Sequence, residues 1–595
     1  MKDEPDLDRL CTAVYRSRLV LRKPRQVRVD MTREFVGTNW SEEGAEKPVL
    51  INLLAMYVNV VGRRLLSSNP RFMLSTWNRA NKPIVSTMES WVNEEVVRTY
   101  LAGTFERCIT DGLFNVGICK VSLATPADAS LSAWTKGAGK PLAQRIDLDD
   151  FVCDMHARDF KECSYIGHRF RVPLAVVKNS KLYSREVRKD MSPMPDRIYN
   201  LEGDERIHLL GRTTLGGDEE EFEDFVDLWE IYLPRHRLVV TLLDGDVTVD
   251  AKGNAKAMRI QRWLGPDCGP YHMLGMGTVP GNIMPKAPMQ DLWDLHLALN
   301  RQLRKLVRQA DRQKENVFVR GGSTEDGSRA IDCNDGEVVR VDNPENLKAV
   351  TYGGPNAQNF QLFMALKDVF SWLSGNLEIM GGLAPQSKTA AQDKLMNENS
   401  SATIAQMQDR TTNFIGDVGR ALCWYWHHDP EKVMTSEYAL PGMPSMSITR
   451  KASPDDRQKV PFEDMKVTLD PYSLQHQTPQ SRLAALNQIV TQIFIPMAQV
   501  AQSQGVALDF QAYLKIVGKL MDQPDLEEIL TFQQAPAQQT GEEEGGGAEQ
   551  PRMPQETTRT YERRSVGGQT GTAQGRGQEA ITQMMAASKN GNGQQ

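Results

Sequence analysis

The chain reads MQDLWDLHLALNRQLRKLVRQADRQKEN at 289–316, VFVRGGSTEDGSRAIDCNDGEVVRVDNPENLKAVTYGGPNA at 317–357 and QNFQLFMALKDVFSWLSGNLEIM at 358–380. Two amphipathic helical patterns therefore flank a Gly-rich, strand-like insert. In the first pattern Leu292, Leu295, Leu299, Leu303, Leu306 and Ala310 recur at three- and four-residue steps, which places them on one face of a helix. Such a stripe requires a partner surface. In the second pattern Phe363, Leu366, Phe370, Leu373 and Leu377 alternate three and four apart, the spacing of a seam against neighbouring helices at a shallow crossing angle. Leu299, Leu303, Leu366 and Leu373 are the packing contacts expected of the pair. On periodicity alone, the two helices would suit the core of any mixed domain.

Charge narrows the reading. Arg301, Arg304, Lys305, Arg308, Arg312 and Lys314 crowd the second half of the first helix with Asp311 the only acid among them, while Asp291 and Asp294 sit in its first turns, where negative charge suits the helix dipole. The insert is acidic, with Glu325, Asp326, Asp332, Asp335, Glu337, Asp342 and Glu345. A basic helix face (Arg301, Arg304, Lys305, Arg308, Arg312) beside an acidic band fits subunits stacked sideways in a ring, or a wall that DNA passes without sticking. The loop GGLAPQSKT at 381–389 follows at once, bent by Gly381, Gly382 and Pro385 so that Gln386, Ser387 and Lys388 face whatever fills a channel. It differs from a phosphate-binding P-loop, because Ser387 stands where the second glycine is needed, Pro385 lies within it, and a helix precedes it.

Residues 49–66 and 85–113 carry helical patterns, the second running through a Gly turn into a strand. IDLDDFVCDMHARDFKECSYIGHRFRVPLAVVKN at 146–179 reads as a strand and an Asp-containing turn before a helix beginning near Pro173. VDLWEIYLPRHRLVVTLLDGD at 226–246 reads as a strand hairpin, interrupted at Leu233–Pro234, with Asp244–Gly245 supplying a turn. One long helical stretch covers Ala390–His428, strands and turns fill 430–470, and Thr478–Pro479 opens a further helical region. From about Gln533 the chain is rich in Gln, Gly and Glu and nearly free of large apolar residues, a composition that cannot bury a core of its own.

The order of parts from Pro280 to Met407 resembles the stem, clip, stem and tunnel loop of the portal proteins of tailed bacteriophages. The likeness extends by order and size of elements over about 45–530, and Asp111–Val121 (DGLFNVGICKV) is similar to the phrase that opens the outer wing of that family. What the resemblance implies is an α+β portal fold, with wing, stem helices, clip and helical crown, that assembles as a ring. Its parts would be an N-terminal arm at 1–45, wing at 46–286, stem helix at 287–314, clip at 315–356, second stem helix at 357–380 and tunnel loop at 381–389. A long helix returning to the wing at 390–475, crown helices at 476–533 and a disordered polar tail at 534–595 would complete it. The implied function is a twelve-subunit channel at one capsid vertex for packaging and ejecting double-stranded viral DNA. Implied partners are the terminase large subunit, the tail adaptor, and the major capsid or scaffold protein. The protein would be made in the host cytoplasm and carried in the virion, and its length and polar tail are similar to the short-tailed phage type. The other class in play is an internal virion or scaffold protein without a channel, which would not need paired helices around a strand insert.

Composition agrees with an assembly subunit. With 595 residues and 40% hydrophobic content the chain can bury more than one core, and a net charge of −6 does not mark the whole molecule as an electrostatic DNA binder. The eight cysteines lack the short spacings of zinc or redox motifs and are expected reduced and mostly buried. No signal peptide or membrane span is expected, since stretches such as VLINLLAMYVNVVG at 49–62 are short and carry Asn52 and Asn59. His427-His428-Asp429 beside Trp424 and Trp426 is a candidate metal set. Adjacent helical residues point about 100° apart, however, which favours capping and packing. Asp149-Asp150 and Asp455-Asp456 sit in loop contexts, and no hydrolase or nuclease constellation is present, so neither catalysis nor a cofactor is expected.

Overall fold

The computed structural model describes residues 5–37, 49–124, 139–189, 191, 224–247, 256–319, 347–352, 354–377, 390–440 and 443–474, with isolated residues within 325–340 and 487–492. The chain divides into two units, Met1–Leu526 and Glu527–Gln595, and every described element belongs to the first. The class is α+β, as expected. The crown segment, the tail and the 381–389 loop lie outside the described residues.

Helix α1 spans Leu7–Val36 and α2 Leu53–Leu65, followed by strand β1 at Phe72–Thr76. Helices α3 (Lys82–Arg98) and α4 (Leu101–Phe114) come next. The pattern expected as one helix over 85–113 is thus broken, because Tyr100 adopts φ 51° and resets the axis between the two. Strand β2 (Gly117–Leu123) follows directly, with Gly117 so close to α4 that a Cβ there would run into the Cys108 carbonyl. β3 covers Pro141–Ile146, β4 Phe151–Cys153 and β5 Ile166–Pro173, followed by two short helices, α5 (Leu174–Asn179) and α6 (Arg185–Lys189). The expected helix near Pro173 is α5.

β6 (Phe225–Leu233) and β7 (Leu238–Leu243) form the expected hairpin, but its turn is Pro234–Arg237, with Arg237 at φ 50°. Asp244–Asp246 is instead a single 3-10 turn after β7. β8 (Ala257–Arg262) completes an antiparallel sheet ordered β4-β5-β6-β7-β8, and β9 (Tyr271–Leu274) joins β2 and β3 in the order β3-β2-β9. Helix α7 (Pro288–Asp311), strands β10 (Lys314–Val319) and β11 (Leu347–Tyr352), and helix α8 (Ala357–Leu373) then form one excursion. The 38-residue α9 (Ala390–His427) returns to the body, ending in β12 (Met434–Leu440), β13 (Met443–Ala452), α10 (Pro454–Gln458) and β14 (Met465–Leu469). β14 pairs with β1 in the register Phe72↔Leu469 to Thr76↔Met465, so distant parts of the sequence share one ribbon.

The largest core gathers α2, α3, α4, β2, the roots of α7 and α8, and the buried face of α9. Phe105 meets Phe414 edge-on at 6.2 Å and Trp91 meets Trp426 at 5.7 Å, which fixes α9 against α3 and α4. The region expected as an N-terminal arm is α1, and it is fastened to the β4 end of the large sheet. Arg28 pairs with Asp147 at 2.8 Å and Asp149 at 2.9 Å, the Ser17 hydroxyl donates to the Cys153 carbonyl at 2.8 Å, and the Arg25 guanidinium donates to Leu148 O at 3.1 Å and Phe151 O at 2.9 Å. Arg145 binds Asp111 and, at 3.0 Å, Asp147, while Arg169 reaches Asp150 at 3.2 Å. Asp149 and Asp150, unremarkable as sequence, are thus part of a buried ionic clamp.

Among the described cysteines Cys11, Cys108, Cys119, Cys153, Cys163 and Cys423 are buried and free, and Cys268 is exposed. No described helix is long and apolar enough to cross a membrane.

Candidate functional site

α7 opens with Pro288 at its first turn, where a missing N–H costs nothing, and Asp291 pairs with Lys286 at 2.7 Å. Met289, Leu292, Leu299 and Leu306 are buried, Leu295 and Leu303 half-buried, and Ala310 exposed. The expected stripe therefore holds along the root and loosens toward the far end. Two polar residues within it had no sequence signal. Asn300 accepts from the backbone N–H groups of Leu50 (3.0 Å) and Ile51 (3.1 Å) and donates to Ile51 O (3.0 Å), stitching α7 to the segment before α2. His296, fully buried one turn earlier, lies 3.8 Å from Glu34 of α1, and burial pushes its imidazole down to about 4. Pairing of an apolar stripe reveals a surface to be covered, but not that two of its members will bond to backbone.

β10 and β11 pair antiparallel from Lys314↔Tyr352 to Val319↔Leu347, which closes the insert as a two-stranded ribbon. The side chains of these strands and the acids between them are not among those described, apart from isolated residues such as Glu325 and Asp332.

α8 starts with the Asn356 side chain accepting from Gln358 N at 2.8 Å and runs back along α7. The outer half of the pair is joined by polar groups. Gln302 donates to Asn359 O at 3.3 Å, Lys305 to Asn359 Oδ1 at 3.4 Å, and Asn359 to Gln309 Oε1 at 3.3 Å, while Gln309 also accepts from Asn356 N at 3.2 Å. Of the expected seam, Phe370 and Leu377 are buried and Phe363 and Leu366 pack partly against the core. Leu373 departs from it, with 46% of its surface exposed. At 100° per residue it lies about 60° around the helix from Phe370, toward exposed Val369, so a strict three-four repeat overstates what one α7 can cover. Phe360, Leu362, Met364, Val369 and Trp372 are likewise exposed, Trp372 by 71%. Exposed apolar side chains thus extend well beyond the face that meets α7, interspersed with Gln361, Lys367, Asp368 and Ser371, more than a helix covered on one side alone needs.

The basic residues fall where the spacing places them. Arg301, Lys305, Arg308 and Arg312 are exposed at steps of four, three and four, a row confined to about 60° of arc on the side opposite the buried stripe. Arg304 lies beside the row and is half-buried. Gln386, Ser387 and Lys388 lie outside the described residues.

The His427-His428-Asp429 triplet is accounted for by capping and packing. His427 bonds Val460 O through Nε2 at 2.8 Å, His428 bonds Trp424 O through Nδ1 at 2.8 Å and stacks on the Trp424 ring at 4.1 Å, and Asp429 accepts from Glu431 N at 2.9 Å and Lys432 N at 3.2 Å. Behind them the fully buried Arg457 donates to Trp426 O, to Asp429 O at 2.7 Å and to Lys432 O at 2.5 Å, closing the α9 C-terminus. Among the described residues no group of three metal-ligating side chains converges. No protein-family model and no curated protein matches this chain.

Proposed function

We propose that the chain is a subunit of a portal ring, in which α7 and α8 are the stem, the β10–β11 ribbon is the clip, and residues 381–389 form a loop lining the channel. The observation that carries this reading is α8 itself, a helix joined to α7 in its outer half by polar bonds while Phe360, Leu362, Met364, Val369, Trp372 and Leu373 are exposed. A helix of this kind is stable in water only when other protein covers it, and a second copy of the same excursion supplies a matching surface. The exposed row Arg301, Lys305, Arg308 and Arg312, repeated around an axis, would contact phosphates by position and not by base sequence.

On this reading the ring holds twelve copies at a capsid vertex, admits double-stranded DNA, and docks the terminase, the tail adaptor and the shell. Negative-stain imaging and light scattering of the purified chain test it: a ring with a central hole is expected, and a monomer that stays monomeric at high concentration overturns it. Lys388→Ala is expected to leave the ring intact and alter DNA retention in a packaging assay; unchanged packaging removes the loop from the mechanism.

A further inference from the structure

Residues 171–191 hold Arg171, Lys178, Lys181, Arg185, Arg188 and Lys189 against Glu186 and Asp190, an excess of cations in a chain whose net charge is −6. The fold turns this composition into a surface. Leu174, Val177, Tyr183 and Val187 of α5, α6 and their connection face inward and pack with Val172, Val226 and Met258 on one end of the large sheet. Ser184 N bonds Met258 O at 2.8 Å, which ties the lobe to edge strand β8, and Leu174 N bonds Asp224 O at 2.8 Å, which ties it to the start of β6. With its apolar side spent on the sheet, the lobe presents Lys178, Lys181, Arg185 and Lys189 to solvent, and β8 adds half-buried Arg259, next to Met258. Arg188 is turned inward to donate to the carbonyls of Ser180 and, at 3.4 Å, Lys178, so it shapes the lobe. Described acids on or near it include Glu186 and Asp224, with Asp244 and Asp246 following β7 at the same end of the sheet.

We propose that this lobe is a sequence-independent binding surface for the phosphate backbone of duplex DNA, separate from the stem. Flexible point charges spread over two short helices suit a repeating line of phosphates. An acidic peptide would be held by apolar sockets between the cations. The lobe's apolar residues are instead turned inward, apart from exposed Ala175 and Leu182, the latter at 42% exposure. Because the lobe is built within one subunit, the inference does not depend on ring formation.

The test is fluorescence anisotropy of the full-length chain with a short mixed-sequence duplex, titrated between about 50 and 200 mM salt. Each phosphate contact contributes roughly one unit to the slope of log affinity against log salt. The triple variant Lys181→Glu, Arg185→Glu, Lys189→Glu is expected to lose about two to three units of slope and at least about tenfold in affinity, whatever the duplex sequence. Lys181→Arg, Arg185→Lys, Lys189→Arg is expected to retain both. The neutral set Lys181→Gln, Arg185→Gln, Lys189→Gln gives the same reading without added repulsion. Thermal melts confirm that each variant is folded, and light scattering on the same samples reports assembly separately. The acids at 218–223, outside the described residues, are present throughout, so any opposition they offer is contained in the measured slope. The proposal is overturned if the triple variants bind like the parent, or if only replacement of Arg301, Lys305, Arg308 and Arg312 changes the slope. It is equally overturned if poly-glutamate binds the lobe more tightly than the duplex does, which would assign the surface to an acidic protein.

Discussion

The body around α9 and the excursion from α7 to α8 solve the same problem in opposite ways. In the body, two buried guanidinium groups are met within the chain: Arg457 closes a helix end and Arg28 meets two carboxylates, while Trp91, Trp426, Phe105 and Phe414 interlock. In the outer excursion many of the contacts between α7 and α8 are polar, and Phe360, Leu362, Met364, Trp372 and Leu373 of α8 are exposed. The first region covers its apolar side chains within one polypeptide. In the proposed ring the second would be covered by neighbouring copies, and stability and association are therefore expected to respond to different residues.

The contrast fails if a substitution in the buried core leaves stability untouched or one at an outward-facing position of α8 lowers it strongly. Arg457→Met removes the donor to one buried and two part-buried carbonyls, and a loss of about 3 kcal/mol in urea denaturation is expected. Phe370→Ala, at the stem's root, should cost about 3 kcal/mol, whereas Leu373→Ala three residues on should cost less than about 1. Equal costs would mean that the seam extends through Leu373 within one chain.

Acid should weaken the body next. Burial holds His272 and His296 down to about 4 from an ordinary 6.5, so the unfolded chain binds their protons first as pH falls. Stability is then complete above 6.5 and declines toward 4, by about 1.4 kcal/mol per pH unit for each, or about 2 kcal/mol each by pH 5. His272→Leu should flatten the measured slope of stability against pH. Smallest of all, Trp372→Glu should shift the melting free energy by no more than about 0.5 kcal/mol yet abolish multimers in light scattering. A large stability loss there would place Trp372 in the body.

Periodicity made the α7 stripe, the α8 helix, the ribbon between them and the β6–β7 hairpin legible, because each depends on local spacing. Boundaries set by one residue's backbone were not legible. Tyr100 splits a continuous apolar pattern by adopting a left-handed conformation, and Arg237 moves the hairpin turn away from the more obvious Asp244–Gly245. Nor were long-range polar clamps, since Asn300 with Ile51 and Arg28 with Asp149 are adjacent only after folding. At the candidate site the basic row was readable from its steps of four and three. The outward face of α8 was not, because an apolar seam has the same spacing whether its partner is the same chain or another.

The β1–β14 ribbon carries a consequence for biosynthesis. Phe72 and Leu469 are paired in space, so at ordinary translation speeds of about 5–20 residues per second β1 waits roughly 20–80 s for its partner strand. One side of β1 is shielded by α3 within moments: Asn93 accepts from Phe72 N at 2.8 Å and donates to Phe72 O at 2.9 Å, and Glu89 accepts from Leu74 N at 3.3 Å. A nascent chain thus leaves the ribosome with a single adhesive strand edge in this ribbon, and α8 emerges before that edge is closed. The order of synthesis therefore exposes the apolar surface of α8 before residues 465–469 are available to close the free edge of β1.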